Sequence, residues 1–295
     1  MSSALFVRAC AAVFAVAVAM AAVAVPGMRA HADHVPDQVP GYDISWPQCP
    51  NRVFPNTRVA FTVIGINGGR PFTPNPCFVE QYRWAQRFER NPAVYVNVDY
   101  PKAGRDLPAA TGPYGTCAPT DEWCRAYNYG YAIGREVVTR AQSLGITPSW
   151  WWLDVETGNY WSDDPTYNGQ VVRATLDYFK ERKLPVGLYS TPRQWRIIAG
   201  TFAPGVPVWT AGAQGMEDAR RRCSDPAYAF GGGTVKLSQF YDHGLDTNFA
   251  CPSGHLVAQY PFPDPYNRTG PHNRSLSLSG SVLPHWQPVP MLSSE

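Results

Sequence analysis

Short apolar runs alternate along the chain with stretches in which apolar residues recur at helical spacing. The short runs are rich in β-branched and aromatic residues, which is typical of strands. They predict eight strands, at residues 42–45, 61–66, 94–99, 150–156, 186–190, 208–211, 235–240 and 245–249. The periodic stretches predict helices at residues 78–89, 121–144, 170–182, 193–199 and 217–223.

This alternation of strands and helices predicts an α/β protein with a parallel sheet. Only residues 241–244 separate the last two predicted strands, which is too few for a helix. We therefore predict a single TIM-like barrel over residues 41–251, in which the final connections have lost their helices.

The two ends of the chain differ from this central region. Residues 1–32 contain no acid, carry Arg8 before an apolar stretch, and end in Ala30-His31-Ala32, which predicts a secretory signal peptide. The C-terminal residues are rich in Pro and Ser, which predicts an extended or disordered tail. The predicted division is a signal peptide at 1–32, a short segment at 33–40, the barrel at 41–251 and the tail at 252–295.

Charge limits the class of partner. Removal of the signal peptide takes away Arg8 and Arg29, so that 25 basic residues become 23, equal to the 23 acidic residues. No block of Lys or Arg stands out, which argues against nucleic acid as a partner. A neutral glycan or a peptide is easier to accommodate. We expect a secreted monomer without a membrane span in its mature form, located outside the cell or in the cell wall.

Cysteine usage agrees with export. One of the seven cysteines, Cys10, lies in the signal peptide, and the remaining six allow fifteen pairings. We favour Cys49–Cys77, Cys117–Cys124 and Cys223–Cys251, because each pair falls on neighbouring loops of the predicted layout. There is no CxxC motif and the histidines lie near the two ends of the chain, so we expect no metal and no cofactor.

The predicted fourth strand carries the most informative chemistry. Alternation places Trp150, Trp152, Asp154 and Glu156 on one face, and Trp151, Leu153 and Val155 on the other. Two carboxylates at the end of an apolar strand are costly to desolvate, which indicates a cleft with a chemical role. The alternative interpretation is that these acids cap a following helix.

In a parallel barrel the ligand site lies at the carboxyl ends of the strands. Acids, amides and aromatic residues occupy those ends here, and bases are nearly absent. Aromatic faces stack on sugar rings while acids and amides bind hydroxyls, so this lining favours a carbohydrate. The polar and aromatic residues at strand ends are Asp43, Ser45, Asn67, Asn97, Asp99, Asp154, Glu156, Tyr189, Ser190, Trp209, Thr210, Gln239, Asp246 and Asn248.

Five motifs in the same order resemble those of glycoside hydrolase family 25, the Chalaropsis-type lysozymes. They are Gly-Tyr-Asp-Ile-Ser-Trp-Pro-Gln at 41–48, Leu-Asp-Val-Glu at 153–156, the Pro-to-Tyr-Ser strand at 185–190, Val-Trp-Thr-Ala at 208–211, and Gln239 followed by Asp-Thr-Asn at 246–248. The resemblance implies a (β/α)5β3 barrel. It also implies hydrolysis of the β-1,4 bond after N-acetylmuramic acid in peptidoglycan.

Carried over to this chain, the resemblance implies that Glu156 is the general acid, Asp154 its partner, and Asp43 and Asp246 flanking carboxylates. An ionised Asp154 would raise the pKa of Glu156 and keep it protonated. Asp154 could also stabilise charge at the anomeric carbon or orient a substrate acetamido group, and both an inverting and a substrate-assisted route stay open. The predicted substrate-binding residues are Asn67, Asn97, Asp99, Tyr189, Trp209 and Gln239.

Two strands depart from the family pattern. The chain has Ile-Asn-Gly-Gly at 66–69 and Asn-Val-Asp-Tyr at 97–100, followed by a Pro- and Gly-rich insertion at 101–119. These changes leave an alternative open, a catalytically inactive glycan-binding protein on the same barrel. A metal-dependent polysaccharide deacetylase is disfavoured, because His243 is the only histidine near a predicted strand end.

Overall fold

The structure, a computed structural model, describes residues 39–55, 58–102 and 107–252. The predicted signal peptide, most of the segment at 33–40 and all of the tail beyond Pro252 lie outside the described residues. Those three assignments therefore stay predictions.

Ten strands occur in the described residues, and eight of them close into one barrel. The barrel order is β1-β10-β9-β8-β7-β6-β3-β2, while β4 and β5 form a separate small hairpin. The strands are β1 Gly41–Ile44, β2 Thr62–Gly65, β3 Ala93–Asn97, β4 Thr111–Gly112, β5 Gly115–Thr116, β6 Trp151–Asp154, β7 Val186–Ser190, β8 Val208–Ala213, β9 Val235–Asp242 and β10 Leu245–Ala250.

The barrel is parallel from β1 through β9, and β10 runs antiparallel to both of its neighbours. A two-residue turn joins β9 to β10, with His243 at φ 47° and Gly244 at φ 84°. Both residues have the left-handed conformation that a tight hairpin turn requires. The predicted barrel of eight strands, with a helix-free final connection, is confirmed.

Helices cover the outside of the barrel. Five of them, α1 and α3 to α6, follow the second to sixth barrel strands in turn, while β1 leads into a short 3-10 turn at Trp46–Gln48. Side chains of Asp121, Asp164 and Thr191 accept bonds from the first-turn amides of α3, α4 and α5. The helices are α1 Phe78–Ala85, α2 Leu107–Ala110, α3 Glu122–Ser143, α4 Pro165–Glu181, α5 Pro192–Ala199 and α6 Met216–Arg222. Among the described helices, none combines the length and apolar character needed to cross a bilayer.

The predicted alternation along β6 is confirmed by the two sides of the sheet. Trp150 and Trp152 lie inside the barrel, in an apolar cluster with Trp209. Trp151 and Leu153 face outward into the core beneath the helices, where Trp151 packs against Phe179 with ring centroids 5.1 Å apart. Asp154, next on the inward side, is thereby delivered to the mouth of the barrel.

The three predicted disulfides are confirmed, with Cα atoms 5.7, 5.7 and 5.4 Å apart for Cys49–Cys77, Cys117–Cys124 and Cys223–Cys251. The first joins the loop after β1 to the start of α1. The second closes the insertion that contains α2, β4 and β5 onto α3, and the third ties the end of α6 to the end of β10. Each fixes a loop that borders the barrel and contributes roughly 2–4 kcal/mol to stability.

Candidate active site

A cavity of about 120 Å³ opens at the carboxyl ends of the barrel strands. All four carboxylates predicted from the sequence line it. They come from three strands, since Asp43 lies on β1, Asp154 on β6 with Glu156 just after it, and Asp246 on β10. The remaining lining residues are Tyr95, Tyr189, Trp209 and Gln239.

Asp154 and Glu156 differ in depth. Asp154 is the last residue of β6 and its exposed fraction is 4%, whereas Glu156 is half-buried at the rim. The amide of Asn97 donates a short hydrogen bond to Oδ2 of Asp154, and Oδ1 of Asp154 has no hydrogen-bond partner among the described residues. The backbone carbonyl of Glu156 accepts a bond of 2.7 Å from the indole of Trp161, which fixes the rim at this residue.

Asp43 is held by a chain of directed hydrogen bonds. Its Oδ2 accepts from Nε2 of Gln239 at 3.0 Å and from Nδ2 of Asn248 at 2.6 Å. The hydroxyl of Tyr189 donates to Oε1 of Gln239 at 2.8 Å, and the indole of Trp209 donates to Oδ1 of Asn248 at 2.8 Å. These outer bonds orient both amides with their N–H groups toward Asp43.

Burial raises the pKa of all four carboxyl groups. The pKa of Asp43 rises to about 8, chiefly through burial and then through repulsion from Asp246. Burial is also the first cause for Asp154, Glu156 and Asp246. No Lys or Arg is among the residues that line the cavity, so protons rather than cations relieve the repulsion.

The pKa values of Asp154 and Glu156 are both raised, through partly different causes. Burial and repulsion from Glu156 raise the pKa of Asp154 well above its ordinary value. Burial raises the pKa of Glu156 too, but hydrogen bonds from Gln194 and Asp154 lower it. The raised pKa of Glu156 therefore comes from burial and from Asp246, and a protonated Asp154 works against it.

The predicted substrate-binding residues divide into two groups. Tyr189, Trp209 and Gln239 line the cavity, and Asn97 touches it through Asp154. Asn67 has an exposed fraction of 0% and bonds to the backbone of Asn97. These bonds occupy its amide, which argues against direct contact between Asn67 and a sugar.

Asp99 lies behind the sheet rather than in the cavity. It is buried, and its Oδ1 accepts a bond of 2.7 Å from the hydroxyl of Tyr129 on α3. Strand β3 ends at Asn97, so the alternation that would have carried Asp99 inward stops before it. This position also argues against direct sugar contact.

Two site residues were missed by the sequence reasoning. Tyr95 lines the cavity two residues before Asn97 on β3, and burial raises its pKa well above the ordinary value, so its phenol stays a neutral donor. The period-two alternation of β3 was the signal for it. Gln194, on α5, bonds to Glu156 and also accepts from the backbone and hydroxyl of Thr157 at 2.6 and 2.9 Å. No pattern in the sequence marks Gln194.

The arrangement offers buried carboxyl groups of unequal proton affinity beside aromatic and amide donors. Within the described residues, no group of three or more His, Cys, Asp or Glu side chains is placed to hold a metal ion. A carboxyl pair that shares a proton, with one member at the rim, is able to donate that proton to a bound oxygen.

A protein-family model matches residues 123–234, and its description is Lysozyme-like protein 1. The resemblance to lysozymes drawn from the motifs is confirmed over these residues. They include Asp154, Glu156, Tyr189 and Trp209 of the cavity. No curated protein matches the chain.

Among solved structures, the chain is similar to the catalytic domain of endolysin ply40 from bacteriophage P40 of Listeria monocytogenes, at 15% identity, over 74% of this chain and 95% of that one, with a TM-score of 0.46. It is similar to the modular autolysin LytC from Streptococcus pneumoniae at 13% identity, over 71% of this chain and 46% of that one, with a TM-score of 0.46. A family GH25 lysozyme from Aspergillus fumigatus shares 16% identity over 74% of this chain and 96% of that one, with a TM-score of 0.43.

Proposed function

We propose that this chain is a secreted glycoside hydrolase of the lysozyme type that cleaves β-1,4 glycosidic bonds of peptidoglycan. The observation that carries the proposal is the convergence of Asp43, Asp154, Glu156 and Asp246 on one cavity at the mouth of the barrel. The motif order and the match to the lysozyme-like family model support the same class of activity.

In this proposal Glu156 donates a proton to the glycosidic oxygen as the bond from that oxygen to the anomeric carbon breaks. Glu156 suits this role because it lies at the rim and its pKa is raised by burial. Water then adds to the anomeric carbon and returns a proton to the carboxyl pair, so the site is restored. Asp154 supports the step by sharing its proton with Glu156.

The size of the cavity indicates how a glycan binds. A volume of about 120 Å³ is well below the roughly 300–1,000 Å³ of pockets that enclose a whole small molecule. We infer that the glycan lies across the mouth and that a substituent of one ring, such as an acetamido group, enters the cavity. Tyr95, Tyr189 and Trp209 supply the walls that this substituent would contact.

The proposal is tested on purified peptidoglycan with the wild-type protein and Glu156→Gln. We expect the wild type to release new reducing ends and the variant to release almost none, while both sediment with the peptidoglycan. Sedimentation without release by the wild type would instead favour an inactive glycan-binding protein. Absence of both would overturn the peptidoglycan assignment.

A further inference from the structure

Three adjacent strands bring two asparagines to Asp154. Asn97 and Asp154 are register partners on the parallel strands β3 and β6. Asn67 follows β2, the strand on the other side of β3. All three side chains are buried, and Asn67 is farthest from the cavity.

Asn67 clamps the backbone of Asn97. Its Oδ1 accepts from the amide nitrogen of Asn97 at 3.1 Å, and its Nδ2 donates to the carbonyl oxygen of Asn97 at 3.0 Å. Backbone pairing between β2 and β3 ends just before, where the nitrogen of Ile66 donates to the carbonyl of Tyr95 at 3.0 Å. The Asn67 side chain thus replaces the next pair of ladder bonds, at the point where the two strands separate.

Asn97 is also fixed on its other side. The nitrogen of Val98 donates to the carbonyl of Asp154 at 3.0 Å, which continues the ladder between β3 and β6. With its backbone held from both neighbouring strands, Asn97 has little freedom except in its side chain. That side chain donates through Nδ2 to Oδ2 of Asp154.

The chemistry of the amide determines which carboxyl oxygen remains available. An amide nitrogen only donates, so Oδ2 of Asp154 must act as the acceptor. The oxygen left without a hydrogen bond among the described residues is Oδ1. Because Oδ2 accepts from Asn97, a proton on Asp154 is placed on Oδ1.

We propose that Asn97 is a positioning residue that occupies Oδ2 of Asp154 and leaves Oδ1 as the oxygen that exchanges a proton with Glu156, and that Asn67 supports this role by holding the backbone of Asn97. The catalytic meaning of this arrangement rests on the proposed function. The choice between the two oxygens of Asp154 does not, because it follows from the hydrogen bond that Asn97 donates to Oδ2. Both asparagines lie where strands two and three depart from the family pattern.

Other titratable groups also face Asp154, and two of them contribute to its raised pKa. Glu156 is the nearest, and Asp43 repels Asp154 from across the barrel. Repulsion from the same carboxylates contributes to the raised pKa values of the Tyr95 and Tyr189 phenols. Asp246 lines the same cavity. No Lys or Arg lines the cavity.

The test compares Asn97→Leu, which keeps the branched shape of the side chain and removes the donor, with the isosteric Asn97→Asp. The matched control is Asn75→Asp, a buried asparagine whose amide donates to the carbonyl of Gly65 and to Gln81 and does not touch Asn97. Carboxyl carbon signals are followed by NMR titration in the full chain. Asp154 is assigned by the signal lost in Asp154→Asn.

We expect the titration midpoint of Asp154 to rise by about one pH unit in Asn97→Leu, because the ionised form loses its donor. Asn75→Asp should leave that midpoint unchanged.

For hydrolysis of peptidoglycan, Asn97→Leu should lower kcat about tenfold with KM nearly constant. Asn97→Asp should recover activity only at acidic pH, where the new carboxyl is protonated and donates to Asp154. Asn67→Asp should shift the pH profile in the same direction by a smaller amount.

An unchanged Asp154 midpoint in both Asn97 variants would overturn the proposal, as would equal shifts in the Asn75 control. If Asn97→Leu does not fold, the isosteric Asn97→Asp alone decides through the shape of its pH profile and its NMR titration. A shifted midpoint in a protein that hydrolyses no peptidoglycan supports the proton placement and overturns the proposed function, so the two failures are distinguishable.

Discussion

The lower and upper halves of the barrel interior are built on the same strands but have opposite chemistry. In the lower half, Val63, Trp152 and Leu237 form an apolar cluster that excludes water. In the upper half, one inward step along β6 replaces Trp152 with Asp154, and three further carboxyl groups surround the cavity. Trp209 belongs to both halves, since its ring packs in the cluster while its indole N–H donates to Asn248.

The comparison shows that the apolar half of the barrel interior raises the pKa values of the carboxyl groups in the acidic half. Burial is the largest cause of the raised pKa of each of the four carboxyl groups. A polar floor under the same acids would leave them ionised at neutral pH, and none would be able to donate a proton. Trp150 and Trp152 are thus part of the site, although they do not line the cavity.

The largest effect is expected from removing the rim acid. Glu156→Gln keeps the shape of the side chain and removes its proton, so the rate of peptidoglycan hydrolysis should fall roughly 10³-fold or more. Initial rates of reducing-end release measure this. The control is Glu217→Gln on α6, where the side chain is 86% exposed and activity should not change. A similar loss of activity in both variants would show that the loss does not come from the carboxyl groups around the cavity.

The next effect tests the apolar half. Trp152→Ala leaves a cavity beneath Asp154 and should lower the free energy of unfolding by about 3–5 kcal/mol. It should also admit water and bring the pKa of Asp154 down. Chemical denaturation gives the first quantity and carboxyl NMR titration the second. Tyr241→Ala, at a tyrosine that is 72% exposed, is the control for loss of an aromatic ring. An unchanged Asp154 titration would contradict the link between the two halves.

A smaller effect concerns pH. The pKa of Asp43 rises from 3.8 to about 8 on folding. Between these two pH values the folded protein keeps the proton of Asp43, whereas the unfolded chain has released it. The stability gained from that proton is complete below pH 3.8 and is lost as the pH rises through 8. The free energy of unfolding of the wild type should therefore fall with rising pH. Asp43→Asn should reduce this fall, whereas Asp163→Asn on an exposed loop should not. Parallel wild-type and Asp43→Asn curves would contradict the assignment.

The smallest effect tests the amide chain around Asp43. Tyr189→Phe removes the donor to Oε1 of Gln239 and should lower the free energy of unfolding by about 1 kcal/mol. Tyr241→Phe, at the exposed tyrosine, should leave stability unchanged. Thermal unfolding measures both. Equal melting temperatures for Tyr189→Phe and the wild type would show that the bond contributes nothing.

The sequence was sufficient for the barrel because its signals are local. The alternation along 150–156 and the apolar strand runs follow from nearby residues, and the cysteine pairs follow from the layout that these runs predict. The structure confirms them. Helix α4 shows how a missed local signal shifts a boundary. It begins at Pro165 rather than near 170, because Asp164 caps it and Pro165 occupies its first position.

The direction of the Asp99 side chain could not be predicted from the alternation along its strand. Asp99 lies two residues past the end of β3, where alternation no longer holds, and it binds Tyr129 behind the sheet. The small hairpin of β4 and β5 arose in an insertion without strand-like periodicity. The burial that raises the pKa values of Asp154 and Glu156 depends on depth in the barrel, which only the packed structure provides.

The central claim is that the acidic half of the barrel interior cleaves a glycan. The most direct test is mass analysis of the fragments that the full chain releases from purified peptidoglycan, with Glu156→Gln run in parallel. The account predicts fragments that end in a reducing N-acetylmuramic acid from the wild type and none from the variant. Fragments of the same mass and yield from both proteins would contradict it.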